Sequence, residues 1–73
     1  LKPVVYENAE LKAILGEIAT YYNYKVIYKS EEVQHTRLFF TWDKQMPLEE
    51  IIETFNQFNR IHVTVKDSQL FVE

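Results

Sequence analysis

Two histidines, a group of three glutamates and one basic-aromatic segment are the residues of this chain whose types could do chemistry. His35 and His62 are far apart, and neither lies in a triad motif of the kind that activates a nucleophile. The sequence has no cysteine, which removes thiol nucleophiles, disulfide frameworks and thiolate zinc sites. It also has no His-x-x-x-His pair and no acidic calcium loop. Glu49, Glu50 and Glu53 could form a carboxylate site. A simpler reading is that they are solvated in the first turns of a helix, where acidic side chains complement the positive end of the dipole. Arg37-Leu38-Phe39-Phe40 has an outward likeness to the aromatic strand on which RNA-recognition modules stack bases. Those modules also need glycines and a basic face. This segment has no Gly, and eight Lys and Arg against eleven Asp and Glu leave the chain at −3. A surface of that sign repels phosphates and anionic head groups. The sequence therefore predicts no enzyme, no cofactor, no metal site and no nucleic-acid partner.

The elements that position these residues must fit into 73 residues, which is one small domain over positions 1–73. A hydrophobic fraction of 47% and an aromatic fraction of 15% supply enough bulky surface for a core without covalent staples. No apolar run approaches the roughly 20 residues of a membrane helix, so the domain itself is expected to make no membrane contact. The chain opens on Leu1, and its start reads as cut from a longer protein.

Pro3 to Tyr6 reads as a short strand, followed by Asn8 as a helix N-cap. Leu11, Ile14, Leu15, Ile18, Ala19 and Tyr22 then keep the spacing of an amphipathic helix that ends at Asn23. Gly16 lies within it, either as a tolerated surface glycine or as a point of close approach by another backbone. Tyr24 to Tyr28 alternates as a strand, and Ser30 can cap one helical turn after it. Thr36 to Trp42 is the clearest strand, with Leu38, Phe40 and Trp42 on one face and Arg37, Phe39 and Thr41 on the other. Pro47 suits the first position of a second helix, whose apolar face is Leu48, Ile51, Ile52, Phe55 and Asn59 in register. Ile61, Val63 and Val65 trace a fourth strand, Asp67-Ser68 a turn, and Gln69 to Val72 a closing strand.

An internal repeat organises these elements. A shift of 37 residues lays Leu11 on Leu48, Ile14 on Ile51, Leu15 on Ile52, Ile18 on Phe55, Tyr24 on Ile61 and Val26 on Val63. Ahead of the helix a shift of 36 fits better, laying Val4 on Phe40 and Tyr6 on Trp42. The chain is thus strand-helix-strand twice plus a closing strand, an α+β fold of duplicated βαβ units. Each half has one apolar stripe and one apolar strand face, so the halves must pack on each other. The two stripes, Leu11, Ile14, Leu15, Ile18 and Leu48, Ile51, Ile52, Phe55, are the expected core.

Ile27, Phe39 and Phe71 fall out of phase with this core. Partial cover of a sheet's second face, or a one-residue slip at a bulge, would account for them. The alternative is an exposed apolar patch for a protein partner, with these three as anchors and Arg37 as a steering charge. The edges of short strands in a small open sheet could also accept a strand from another chain.

Tyr6-Glu7-Asn8-Ala9-Glu10-Leu11-x-x-Ile14-Leu15-x-x-Ile18-Ala19-x-x-Tyr22, followed by Val26-Ile27-Tyr28, resembles the C-terminal module of FecR-like anti-sigma factors of Bacteroidetes type. Arg37 to Trp42, Leu48-Glu49-Glu50-Ile51-Ile52 and the closing hairpin continue the likeness over nearly the whole chain. The module is similar to the short N-terminal domain of secretins and signalling TonB-dependent receptors. The resemblance implies two helices side by side between two small sheets. It also implies a non-catalytic periplasmic sensing module in a parent anchored in the inner membrane by one span. The implied partner is the signalling domain of a TonB-dependent outer-membrane receptor. An extracytoplasmic-function sigma factor would be held only through a cytoplasmic part absent from this sequence. The receptor-side or secretin domain of the same fold stays open, as does a small acylphosphatase-like enzyme. That enzyme would need an anion cradle, and here the only arginines are Arg37 and Arg60 and the single Gly lies inside a helix.

Overall fold

The computed structural model describes residues 2–73. Strand β1 (Val4–Glu10) leads into α1 (Leu11–Tyr22) and β2 (Lys25–Tyr28), then a single-turn helix α2 (Glu31–Gln34) and β3 (Arg37–Trp42). Helix α3 (Leu48–Asn56) and the hairpin of β4 (Val63–Lys66) and β5 (Gln69–Val72) complete the chain. The fold is α+β, as the doubled pattern requires, with the helices set against two separate sheets. β1 pairs antiparallel with β3, and β5 lies between β2 and β4, parallel to the first and antiparallel to the second.

The repeat is visible in the pairing. Val4 faces Trp42 and Tyr6 faces Phe40, while the 36-residue shift lays Val4 on Phe40 and Tyr6 on Trp42. The two cross-strand pairs are therefore images of each other about a local two-fold axis between β1 and β3. The repeat-related strands β2 and β4 run antiparallel, separated by the unduplicated β5. The closing strand thus fills the gap that the duplication leaves at the centre of the second sheet.

All eight stripe residues are buried, from Leu11, Ile14, Leu15, Ile18 and Phe55 at 0% exposure to Leu48 and Ile52 at 8%. They meet Tyr6, Leu38, Phe40 and Trp42 from one sheet and Val63, Leu70 and Val72 from the other. Phe40 and Phe55 stack with centroids 4.4 Å apart, which joins the first sheet to α3. Burial of an apolar side chain of this size contributes about 1.5–3 kcal/mol, so the doubled stripes are the main source of stability.

Local structure departs from the sequence expectations at several points. Asn8 is not an N-cap: β1 continues to Glu10, and Asn8 takes φ 52° where the β1–β3 register shifts between Tyr6 and Ala9. Asparagine tolerates the left-handed region better than most residues, so a bulge forms there instead of a helix start. Glu10 occupies the α1 N-cap without a side-chain cap, and the Leu11 N–H donates instead to the Thr36 carbonyl at 2.8 Å. Pro47 stands at the N-cap of α3, one position before the first helical residue. Asn59 lies beyond α3 and is exposed, and Phe58 packs on the core in its place. β4 starts at Val63, although Ile61 before it is buried. An ideal Cβ on Gly16 would meet no atom within 4 Å, so no neighbouring backbone approaches this glycine. The expected caps and turns hold elsewhere. Asn23 ends α1 at φ 65°, Ser30 Oγ accepts the Val33 N–H at 3.4 Å, and Asp67 and Ser68 both take positive φ as a type I′ turn requires.

Candidate functional site

Strict alternation along β3 buries Leu38, Phe40 and Trp42 and turns Arg37, Phe39 and Thr41 outward. Phe39 is 69% exposed. Val5, 61% exposed, faces Thr41 across the ladder and therefore lies diagonally from Phe39 on the same outer face. β1 bulges opposite Phe39, where two exposed residues, Glu7 and Asn8, stand against this one. Arg37 Nη1 donates to the Asn8 carbonyl at 2.8 Å, and the guanidinium thereby ties down the bulge while its charge stays at the surface.

The second sheet carries the other two sequence candidates. Ile27 and Phe71 are register partners in the parallel β2–β5 pair, so their side chains stand together on the outer face. Ile27 is 41% exposed and Phe71 is half-buried. Beside them lies a shallow groove of about 250 Å³, lined by Ile27, Lys29, Phe71, Val72 and Glu73. Lys29 Nζ approaches Glu73 Oε1 at 3.7 Å across this groove. The structure therefore brings Ile27 together with Phe71, and Arg37 together with Phe39, but places the two pairs on different sheets.

Val65, expected to alternate inward with Ile61 and Val63, is instead 46% exposed. Two further apolar features escaped the sequence reading. Val5 was legible in principle, since Val4 and Tyr6 turn toward the core and a strand has period two. Tyr21 was not, because it lies at the border of the α1 stripe. Its ring is edge-on to Trp42 at 5.3 Å and to Tyr22 at 5.1 Å. Lys44 Nζ sits over both Tyr21 and Trp42, at 5.4 and 5.3 Å from their centroids. The Trp42 indole N–H and the Tyr28 hydroxyl are buried without a partner among the described residues. Burial pushes the Tyr28 phenol pKa up. Tyr6, by contrast, donates to Glu17 Oε1 at 2.9 Å, and burial followed by that carboxylate raises its pKa strongly.

The residues first considered for catalysis stay apart from any reaction centre. His35 Nδ1 lies 2.9 Å from Glu10 Oε2; an ionised carboxylate has no proton, so the ring nitrogen is the donor. His62 exchanges backbone hydrogen bonds with Glu73 and extends the β4–β5 ladder. Glu49, Glu50 and Glu53 are exposed on the first two turns of α3. No group of three or more His, Cys, Asp or Glu is placed to hold a metal ion among the described residues.

A duplicated strand-helix-strand unit, closed by a strand inserted between its two halves, defines a small two-sheet α+β module. The family model for the C-terminal region of FecR matches residues 4–72, and the chain belongs to that family. No curated protein matches the sequence. Among solved structures, a candidate anti-sigma factor from Parabacteroides distasonis ATCC 8503 shares the fold, with a TM-score of 0.78 at 11% identity. The likeness covers 97% of this chain and 33% of that one, so the chain spans about a third of that protein's length.

Proposed function

We propose that residues 1–73 form the sensing end of a FecR-like anti-sigma factor: a single non-catalytic module that binds another protein. In this reading the module lies in the periplasm, in a parent anchored in the inner membrane by one span elsewhere in its sequence. It receives a signal from the signalling domain of a TonB-dependent outer-membrane receptor. The parent's cytoplasmic part, outside this chain, passes that signal to an extracytoplasmic-function sigma factor. The family match supports the regulator over the receptor-side domain.

The observation that carries the reading is Phe39. A phenylalanine 69% exposed on a regular strand, with Val5 beside it at 61%, gains nothing for the isolated fold. Such side chains commonly anchor protein interfaces. Ile27 and Phe71 offer a second apolar pair, and Arg37 adds a charge that favours encounter with a complementary partner.

The test is titration of the domain with the signalling domain of its cognate receptor, with circular dichroism of each variant. Phe39→Ala should weaken binding more than tenfold, on the scale of an aromatic anchor, with the fold retained. Arg37→Ala should mainly slow association. Unchanged binding by Phe39→Ala would remove it from the interface, and failure of the unmodified domain to bind would remove the partner itself.

A further inference from the structure

The outer face of β2, β5 and β4 is built in three cross-strand rows. The first runs Lys25, Gln69, Lys66; the second Ile27, Phe71, Thr64; the third Lys29, Glu73, His62. Neighbouring strands are about 4.8 Å apart, so Lys25 and Lys66 stand about 10 Å from each other on either side of Gln69. Both are exposed, as are Ile27 and Thr64 beside the half-buried Phe71. The face thus has an apolar centre bordered on one side by two lysines, Lys25 and Lys66, that form no ion pair among the described residues, and on the other by the Lys29–Glu73 pair. Three lysines against one glutamate give it a net charge of +2 in a chain of net −3, so the rest of the molecule carries −5. Asp67 belongs to the hairpin turn at the border of the first row. In an acidic domain, this concentration of positive charge around apolar side chains selects by sign as well as by shape.

We infer that this face docks an acidic protein surface, one that seats an apolar side chain on Ile27 and Phe71 and sets carboxylates against Lys25 and Lys66. The inference rests on the proposed role as a protein-sensing module and specifies the chemistry of the partner. An anionic bilayer fits less well. Recognition of such lipids takes about four to eight basic residues, whereas here three lysines, one already paired, sit on a chain of net negative charge. A second copy of the chain would have to bring its acidic helix face to this sheet. That contact is head-to-tail and does not close into a dimer.

Stopped-flow association with the receptor's signalling domain, over a range of salt concentrations, tests the inference. Lys25→Glu combined with Lys66→Glu turns the face from +2 to −2, and should slow association about tenfold or more at low salt and reverse the sign of its salt dependence. Lys2→Glu combined with Lys44→Glu changes the net charge equally, away from this face and from Arg37, and should leave the rate within about twofold. Equal slowing by both pairs, or by neither, overturns the assignment to this face. If the unmodified domain does not bind at all, the sensing role fails and the inference falls with it. Co-sedimentation of the domain with phosphatidylglycerol vesicles, lost in the Lys25/Lys66 variant, would overturn the protein partner in favour of a membrane.

Discussion

Asn56 holds both backbone groups of Val63 with its side-chain amide. Its Nδ2 donates to the Val63 carbonyl at 3.0 Å, and its Oδ1 accepts the Val63 N–H at 2.6 Å. Val63 lies on β4, an edge strand among the described residues, and because His62 and Glu73 exchange backbone hydrogen bonds, the polar groups of Val63 point away from β5. The last residue of α3 thereby satisfies and covers an edge that could otherwise pair with another chain.

Replacing Asn56 by Ala should cost about 1–3 kcal/mol, because it leaves a donor and an acceptor without partners on a residue only 2% exposed. Urea denaturation measures this. Asn56→Asp should be destabilised at neutral pH, where a carboxylate faces the Val63 carbonyl. It should partly recover in acid, where the protonated carboxyl again offers a donor and an acceptor.

Leu15 and Ile52 occupy equivalent positions of the repeat, at 0% and 8% exposure. Either substitution by Ala should cost about 2–5 kcal/mol, with Leu15→Ala toward the upper end because its site is fully enclosed. At about 0.05–0.15 kcal/mol per residue, each loss is a large share of what a domain this small can hold. Unchanged denaturation midpoints would contradict the two-stripe core.

Gly16 should accept alanine with a gain. The new Cβ meets nothing within 4 Å, and the helix interior favours Ala over Gly by about 1 kcal/mol. A rise in the thermal midpoint with an unchanged circular dichroism spectrum is the expected result. A fall would mean that something does approach this turn.

The Glu10–His35 contact joins the end of β1 to the residue that caps α2. That hydrogen bond is the main cause that lowers the Glu10 pKa, with the charges of His35, Arg37 and Lys12 adding to it. A depressed carboxylate pKa stabilises the folded state above the unfolded-state value and is lost as pH falls through the folded value. The stability difference between the protein and its Glu10→Gln variant should therefore shrink as pH falls below the usual glutamate range and be lost once Glu10 is protonated in the folded state. Denaturant titrations at several pH values measure it, and a difference that persists in acid would assign the contact another origin.

Much of this was written in local pattern. The 3.6-residue spacing of Leu11 to Tyr22 and Leu48 to Phe55 determined both long helices and their buried faces. The alternation of Leu38, Phe40 and Trp42 determined the inner face of β3, and the near 37-residue repeat determined that the halves are related. Periodicity records which face of an element is apolar, and burial then follows. It does not record which strand hydrogen-bonds to which, because that choice joins residues far apart in sequence. The pairing of β1 with β3 and the seat of β5 between β2 and β4 were therefore decided only in the tertiary structure. So was the fate of Asn8, where β1 continues to Glu10 and the strand register shifts while Asn8 keeps a positive φ. The same limit applies to the surface. The sequence marked Ile27, Phe39 and Phe71 as outward, but strand pairing alone placed Phe39 on one sheet and the Ile27–Phe71 pair on the other.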